Sequence, residues 1–266
     1  MEESLHSFTH EAMTTPFEVI VAGQEREYAR QVADAVFRKI DHLENLLSKY
    51  NAGSDVGQIN LLSAGQTVRV GSEVIECLDA AIWAHEVSGG LFDPTLGTGF
   101  QWLEVDPENF TVGWKEDGAA KLDLGGVGKG FAIDHVKPLL DDWDVTEVVL
   151  NAGDSTVLAL GREWPLGVGG PWGEKIGLTE VKLKDKALSG SGTEVKGAHI
   201  LNPKTGKPAS RHLAAWAIHP SAAKADALST AFMMMEPEQI EQLCMDYPEV
   251  TAFVVKQDGT LKKIGV

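Results

Sequence analysis

The stretch Leu122-Asp123-Leu124-Gly125-Gly126-Val127-Gly128-Lys129-Gly130-Phe131-Ala132-Ile133-Asp134 sets four glycines and a lysine between a strand-like segment and a helix-like one. Glycines so closely spaced let backbone approach a bulky group and let N–H groups converge at a helix start, which is the geometry that holds phosphate. A tight strand-to-helix connection that binds nothing fits the same residues. The familiar phosphate loops do not match. A Walker A loop needs Gly at 123 and Ser or Thr at 130, where Asp123 and Gly130 stand, and a dinucleotide fingerprint starting at Gly126-x-Gly128 needs a third glycine where Phe131 is. The loop points to phosphate without naming a fold.

Charge narrows the partners. Acids outnumber bases 39 to 23 in 266 residues, for a net charge of −16, which argues against nucleic acid as a bulk electrostatic partner. An anionic ligand therefore needs a local cation, either a bound metal or a few placed lysines. Cys77 and Cys244 lie far apart with no CxxC partner and read as small core residues. The first residues, Met1 to Phe8, have neither a basic region nor an apolar run, and no window approaches a membrane span, so the expectation is a cytoplasmic protein.

Periodicity organises the rest. Residues 16–22 alternate as a strand, and from about 24 to 50 the apolar positions Ala29, Val32, Val36, Ile40, Leu43 and Leu47 mark a long amphipathic helix. Residues 67–70 predict a short strand. Ser72 is expected to cap a helix burying Val74, Leu78, Ala81 and Ile82, which Gly89-Gly90 ends. His85-Glu86 does not make HExxH, because Gly89 occupies the second histidine position. A Gly- and Trp-bearing loop then runs to about residue 118. Residues 129–141 predict a helix interrupted late by Pro138, 148–150 and 156–160 a hairpin, 165–184 and 187–200 a β-rich run, and 214–218 a strand. Helices over 222–235 and 238–245 and a closing strand over 250–255 complete an α+β pattern in one domain, without a disordered linker or a fixed-period repeat.

Asp226 and Thr230 stand four apart on a predicted helix, one turn apart on the same face. A carboxylate and a hydroxyl so placed can share one hard cation, and magnesium, which keeps waters or substrate phosphates in its other positions, would use so small a set. Asp226 as a helix-start acid and Thr230 as a core hydroxyl is the alternative. His199, just before the Asn202-Pro203-Lys204-Thr205-Gly206 turn, could face a ligand or simply hold that turn, and Tyr50 could stack on a planar ring or close the core.

The order of these signals is more specific than any one of them. Met13-Thr14-Thr15, Ser48-Lys49-Tyr50 with Ser54 and Ile59-Asn60, Gly90-Leu91-Phe92-Asp93-Pro94-Thr95, the loop Asp123 to Gly130, His199-Ile200 with Pro203, Thr205 and Gly206, and Ala225-Asp226-Ala227 with Thr230 together resemble the ApbE family of FAD:protein FMN transferases, over about residues 11–255. The resemblance implies a single α+β domain spanning residues 1–266, with mixed or antiparallel sheets and flanking helices. It implies an enzyme that binds FAD with Mg²⁺ and moves the FMN half to a Thr or Ser hydroxyl of an acceptor flavoprotein, releasing AMP. Asp226, Thr230 and the Gly128 carbonyl would hold the metal. Met13, Tyr50, Leu91, Phe92, Asp93, Gly125, Lys129 and Ile200 would surround the flavin nucleotide, and His199 and Asp226 would serve catalysis. The chain departs from the family where Gly128 stands for a common alanine and where Ala152-Gly153-Asp154 stands for a common Gly-Gly-Asp. Many members are exported lipoproteins, and since residues 1–8 do not read as an export signal, the expected location and acceptor differ from theirs. An FAD pyrophosphatase giving FMN and AMP, or an FAD-binding module without turnover, would use much of the same site.

Overall fold

Side chains buried on both faces of a strand require a cover on each. Such strands are β11 (His212–His219) and β12 (Thr251–Lys256) in the computed structural model, which describes residues 4–116, 120–153, 155–169, 179–193, 197 and 200–265. Their alternate side chains divide between two cores. Ala215, Ala217, Ala252 and Val254 join the core under the helices, while Ala214, Trp216, Ile218, Phe253 and Val255 join a second core.

These strands lie in an eight-stranded sheet of order β1 (Leu5–Ala12), β2 (Thr15–Ala22), β6 (Val148–Ala152), β7 (Thr156–Leu160), β10 (Lys186–Gly192), β11, β12 and β13 (Leu261–Ile264), antiparallel at every pairing. One face packs on α1 (Arg26–Leu47), α4 (Gly128–Asp134) and α6 (Ala222–Phe232), with Phe17, Ile40, Leu43, Ile133, Leu150 and Leu228 fully buried between. The hairpin of β8 (Trp164–Val168) and β9 (Thr179–Leu183) covers the other, where Trp164, Val168 and Leu183 share a core with Trp216 and Phe253. A Cβ on Gly190 would lie 2.4 Å from the Trp216 indole nitrogen, so a glycine there is what lets the ring lie across β10. A small antiparallel sheet of β3 (Thr67–Arg69), β5 (Thr111–Trp114) and β4 (Leu103–Asp106) stands apart from the large one. The fold is thus α+β with antiparallel sheets and flanking helices, as expected. Among the described residues no helix is long and apolar enough to cross a membrane, and both cysteines are buried and free.

Several elements differ from the sequence reading. β1 was not expected, because its inward positions include His6 and His10, which hide the apolar alternation; His10 spends its polarity on Asp41 at 2.7 Å while its ring stacks on Phe37. The long helix ends at Leu47. Ser54 Oγ then sits against the Ser48 and Asn51 carbonyls and accepts from the Gly57 N–H at 2.8 Å, starting an unexpected short helix, α2 (Asp55–Ile59). The helix α3 (Ser72–Val87) is capped at Gly71, whose N–H donates to Asp55, and Ser72 is its first residue. The loop expected up to residue 118 contains β4 and β5. Pro138 does not interrupt a helix but sits in the first turn of a separate one, α5 (Lys137–Asp142), where its missing N–H costs no hydrogen bond. β13 lies past the strand expected to close the chain.

Glu73, in the first turn of α3, ties this helix to α1 through Lys39 at 3.2 Å and His42 at 3.6 Å. Burial works to raise its pKa, but hydrogen bonds from its own backbone N–H and from Lys39, with the Lys39 charge, override it and bring the carboxyl down to about 2. A depressed carboxyl contributes stability above its unfolded pKa and loses it as pH falls through the folded value. Glu73→Gln should therefore be less stable than the parent at neutral pH, with the difference shrinking between about pH 4.5 and pH 2. Urea titrations across that range would check it, and a difference independent of pH would rule out the ion pair as its source.

Candidate functional site

The start of α6 is fastened to the end of α4. Ser221 caps α6 by accepting from the Lys224 N–H at 3.3 Å, and Asp134 accepts from the Ser221 hydroxyl at 2.7 Å and the Ala223 N–H at 3.0 Å. The two helices then cross at small residues. A Cβ on Gly130 would stand 2.2 Å from the Ala222 carbonyl oxygen, so only glycine allows this approach. With the backbones so close, the Gly130 N–H donates to Asp226 Oδ2 at 3.1 Å. Lys129 Nζ lies 3.5 Å from the same oxygen and donates to the Gly125 carbonyl at 3.1 Å. Asp226 is 4% exposed, and a polar group so buried needs such hydrogen-bond partners.

The sheet approaches Asp226 from the other side. Successive residues of a strand face opposite ways, so Ser189 and Ser191 on β10 both point at α6 while Leu188 joins the second core. Ser189 Oγ donates to Asp226 Oδ1 at 3.2 Å and lies 2.8 Å from Thr156 Oγ1 and 3.5 Å from Ser229 Oγ. Ser191 Oγ lies 2.9 Å from Ser229 and 3.3 Å from Thr230. The glycine loop closes the site: a Cβ on Gly126 would sit 3.1 Å from the Phe92 ring and 3.5 Å from Thr230 Oγ1.

Beside this group runs a groove of about 490 Å³ lined by Lys49, Tyr50, Asn60, Leu96, Lys121 and Asp123 among others. Tyr50 is 84% exposed, a flat ring open to solvent rather than a core lid. Lys49 Nζ is 2.5 Å from Asp123 Oδ2; burial would lower the pKa of that ammonium, but the hydrogen bond and charge of Asp123 outweigh it and raise it above 10.5. Asp123 also accepts from the Gly125 N–H at 3.0 Å, linking groove and glycine loop. Asn60 grips Leu122 through both backbone groups, accepting from its N–H at 2.7 Å and donating to its carbonyl at 3.0 Å, which fixes the strand-like entry to the loop.

The structure thus brings Asp226, Thr230, Lys129 and Gly126 together, with Gly125 and Gly128 in the same loop and Phe92 against it. Gly128 is buried, and its added Cβ would meet only Leu47 Cδ1 at 3.9 Å, so the alanine common in the family would fit. Leu91 and Phe92 are buried side chains. Asp93 spends both oxygens on its own loop, one on Thr95 at 2.7 Å and the other on the Gly97 N–H at 3.2 Å. Met13 and Thr14 form the two-residue turn between β1 and β2 with φ of 49° and 61°, a left-handed pair that side chains other than Gly or Asn rarely adopt. Strain of that kind clusters where ligands bind. Ile200 is buried and its carbonyl accepts from the Ala209 N–H at 2.8 Å. The turn after it packs on the Asp93 loop, since a Cβ on Gly97 would lie 2.1 Å from the Pro203 carbonyl oxygen. His199 and Asp154 lie outside the described residues.

Sequence reasoning passed over Thr156, Ser189, Ser191 and Ser229. A Ser-x-Ser pair in an apolar strand facing an alanine-rich helix is the signal that would have found the two β10 residues. His85, set aside as a metal ligand, donates from Nδ1 to the Phe92 carbonyl at 2.8 Å and so holds the segment against the glycine loop. Among the described residues no three His, Cys, Asp or Glu side chains gather as a metal site. A cation here would depend on one carboxylate with hydroxyl and backbone oxygens, a hard donor set of the kind magnesium takes when a phosphate ligand completes its shell.

The α+β fold is one found among flavin transferases. The fold is similar to that of the flavin transferase ApbE from Vibrio cholerae, with a TM-score of 0.86 at 17% identity over 98% of this chain and 96% of that one. It is also similar to the ApbE protein of Thermotoga maritima, with a TM-score of 0.85 at 25% identity over 98% and 97%. The FAD:protein FMN transferase of Chlamydia pneumoniae is 26% identical over 85% of this chain and 83% of that protein, and the FAD:protein FMN transferase of Treponema pallidum is 26% identical over 86% and 78%. The ApbE family model matches residues 13–112 and 97–254, and the chain belongs to the ApbE family.

Gly130→Ala should force α4 and α6 apart and cost about 1–3 kcal/mol, the usual range for overpacking a tight contact. Gly128→Ala, two residues earlier with open space for its methyl, should leave the denaturation midpoint unchanged or raised. Equal midpoints for the two variants would show that the helix crossing does not depend on Gly130.

Proposed function

We propose that this protein transfers the FMN half of FAD to a threonine or serine hydroxyl of an acceptor flavoprotein, with Mg²⁺, releasing AMP. The observation that carries the reading is the buried Asp226 carboxylate, held between a helix N–H, a lysine and a serine beside a glycine loop, in a chain whose relatives are named for this reaction. Asp226, Thr230 and the Gly128 carbonyl would hold the metal. When bound, Mg²⁺ supplies charge neutralisation of the pyrophosphate and polarisation of the attacked phosphorus.

The chain's own residues account for the rest. In a protein of net charge −16, Lys49, Lys121 and Lys129 are the cations that the groove and loop offer a pyrophosphate, two of them paired with Asp123 and Asp226. Tyr50 offers a face for a planar ring at the groove. Met13, Leu91, Phe92, Gly125 and Ile200 shape the surroundings of the nucleotide, and Asp93 acts by folding its loop. The acceptor hydroxyl oxygen attacks the phosphorus on the FMN side, the new P–O bond replaces the bond to the AMP phosphate, and AMP leaves. The hydroxyl proton passes to a base, the role given to His199, since a neutral imidazole suits it near pH 7.

Mass spectrometry of a threonine-bearing acceptor peptide, incubated with FAD, Mg²⁺ and this protein, should show a covalent FMN adduct with stoichiometric AMP. Release of AMP at the same rate without acceptor would mean attack by water instead. Asp226→Asn should keep the circular dichroism spectrum while losing about a hundredfold or more in rate, by analogy with the ~3–4 kcal/mol lost when one electrostatic group is removed from a transition state. A folded Asp226→Asn that transfers FMN at the parent rate would remove Asp226 from the site.

A further inference from the structure

Each hydroxyl around Asp226 has one proton to give, which directs the hydrogen bonds among them and leaves none for the 3.5 Å approach of Ser189 to Ser229. An ionised carboxylate only accepts, so the Ser189 hydroxyl donates to Asp226 Oδ1 at 3.2 Å. That uses the only proton of Ser189, so across the 2.8 Å contact Thr156 is the donor. Ser229 donates to the Asp226 backbone carbonyl at 2.9 Å, so across its 2.9 Å contact with Ser191 the proton comes from Ser191. Ser191 then has none left for Thr230. Thr230 is the donor to whichever it meets, Ser191 at 3.3 Å or the Asp226 carbonyl at 3.4 Å. Among the described residues none donates to its oxygen, which lies 3.5 Å from where a Cβ on Gly126 would stand.

Resting on the metal reading of the site above, we infer that Ser189 and Ser191 of β10 are positioning residues that set Asp226 and Thr230 as ligands for a small divalent cation. Ser189 holds one carboxylate oxygen while Gly130 N–H holds the other, so the carboxylate cannot turn about its bond to Cβ. Ser191, having given its proton to Ser229, offers its oxygen to the Thr230 hydroxyl at 3.3 Å, the shorter of that hydroxyl's two contacts, and so holds the rotamer that turns the threonine oxygen toward the site. Thr156 and Ser189 are fully buried, so water does not substitute for the sheet in this network. Neither serine of β10 is needed to touch the cation.

The test is calorimetric titration of MgCl₂ and of CaCl₂ onto protein saturated with FAD. Mg²⁺ demands a near-ideal octahedron at short distances, whereas Ca²⁺ accepts loose and variable geometry. Ser189→Ala should weaken Mg²⁺ by about tenfold and Ca²⁺ by less than about twofold, with FAD affinity in EDTA unchanged. Ser191→Ala, at a half-buried position more tolerant of change, should show the same split and carries the test if Ser189→Ala does not fold. Variants that bind Mg²⁺ like the parent, or that lose Mg²⁺ and Ca²⁺ equally, would overturn the positioning role, the second outcome marking a merely structural one. Parent protein that takes up neither cation would overturn the metal reading itself, and this inference with it.

Discussion

The contact of Gly130 with Ala222 is the constraint on which the site depends. Because no side chain separates α4 from α6 there, a backbone N–H reaches a carboxylate carried by the other helix, and the glycine loop is held over Thr230. Asp134 fastens the helix ends and so sets the register of the crossing. Alanines continue the theme on the sheet side, where Ala215 and Ala217 of β11 let α6 settle close enough for Ser189 to reach Asp226. Small residues here trade buried apolar area for proximity, and the compensation lies in the second core, where Trp164, Trp216 and Phe253 fill the far face of the sheet.

Electrostatics explains why the polar groups gather at this crossing. Burying a lone carboxylate costs several kcal/mol, and a paired, hydrogen-bonded one much less. Asp226 meets that requirement with an N–H, a hydroxyl and an ammonium, drawn from α4 and β10. The same arrangement leaves the site polar in a molecule whose surface is strongly acidic, so an anion is drawn to a few defined lysines rather than to the protein at large. Lys49 shows the balance: its charge is kept by Asp123 in spite of burial, and Asp123 in turn orders the backbone of the glycine loop.

Much of the architecture was legible from pattern. The apolar period of α1, the alternation of β2 and the short apolar runs of β7 and β12 come from local spacing, which survives in any tertiary context. Other elements were hidden for local reasons. The inward histidines of β1 break its apolar alternation, α2 is too short to show a period, and β4 and β5 occupy few residues each between glycines and turns. Pro138 reads as an interruption from sequence because a proline suits the first turn of a helix as readily as it disturbs the middle of one, and only the break at His135-Val136 separates these.

For the site, the sequence by itself determined which chemical groups are available: a glycine loop with a lysine, a carboxylate and a hydroxyl one helical turn apart, a tyrosine, and their order along the chain, which is the signature of the family. It also determined that Asp226 and Thr230 share a face, since four residues make one turn of any α-helix. Only the tertiary structure decided what those groups meet. Ser189, Thr156 and Asn60 carry no periodic signal of their own, because a hydroxyl or amide acquires its role from the partner it faces, and those partners lie 37, 33 and 62 residues away in sequence. Proximity across such separations is set by the packing of α4, α6 and β10, a property of excluded volume that no short window of sequence contains.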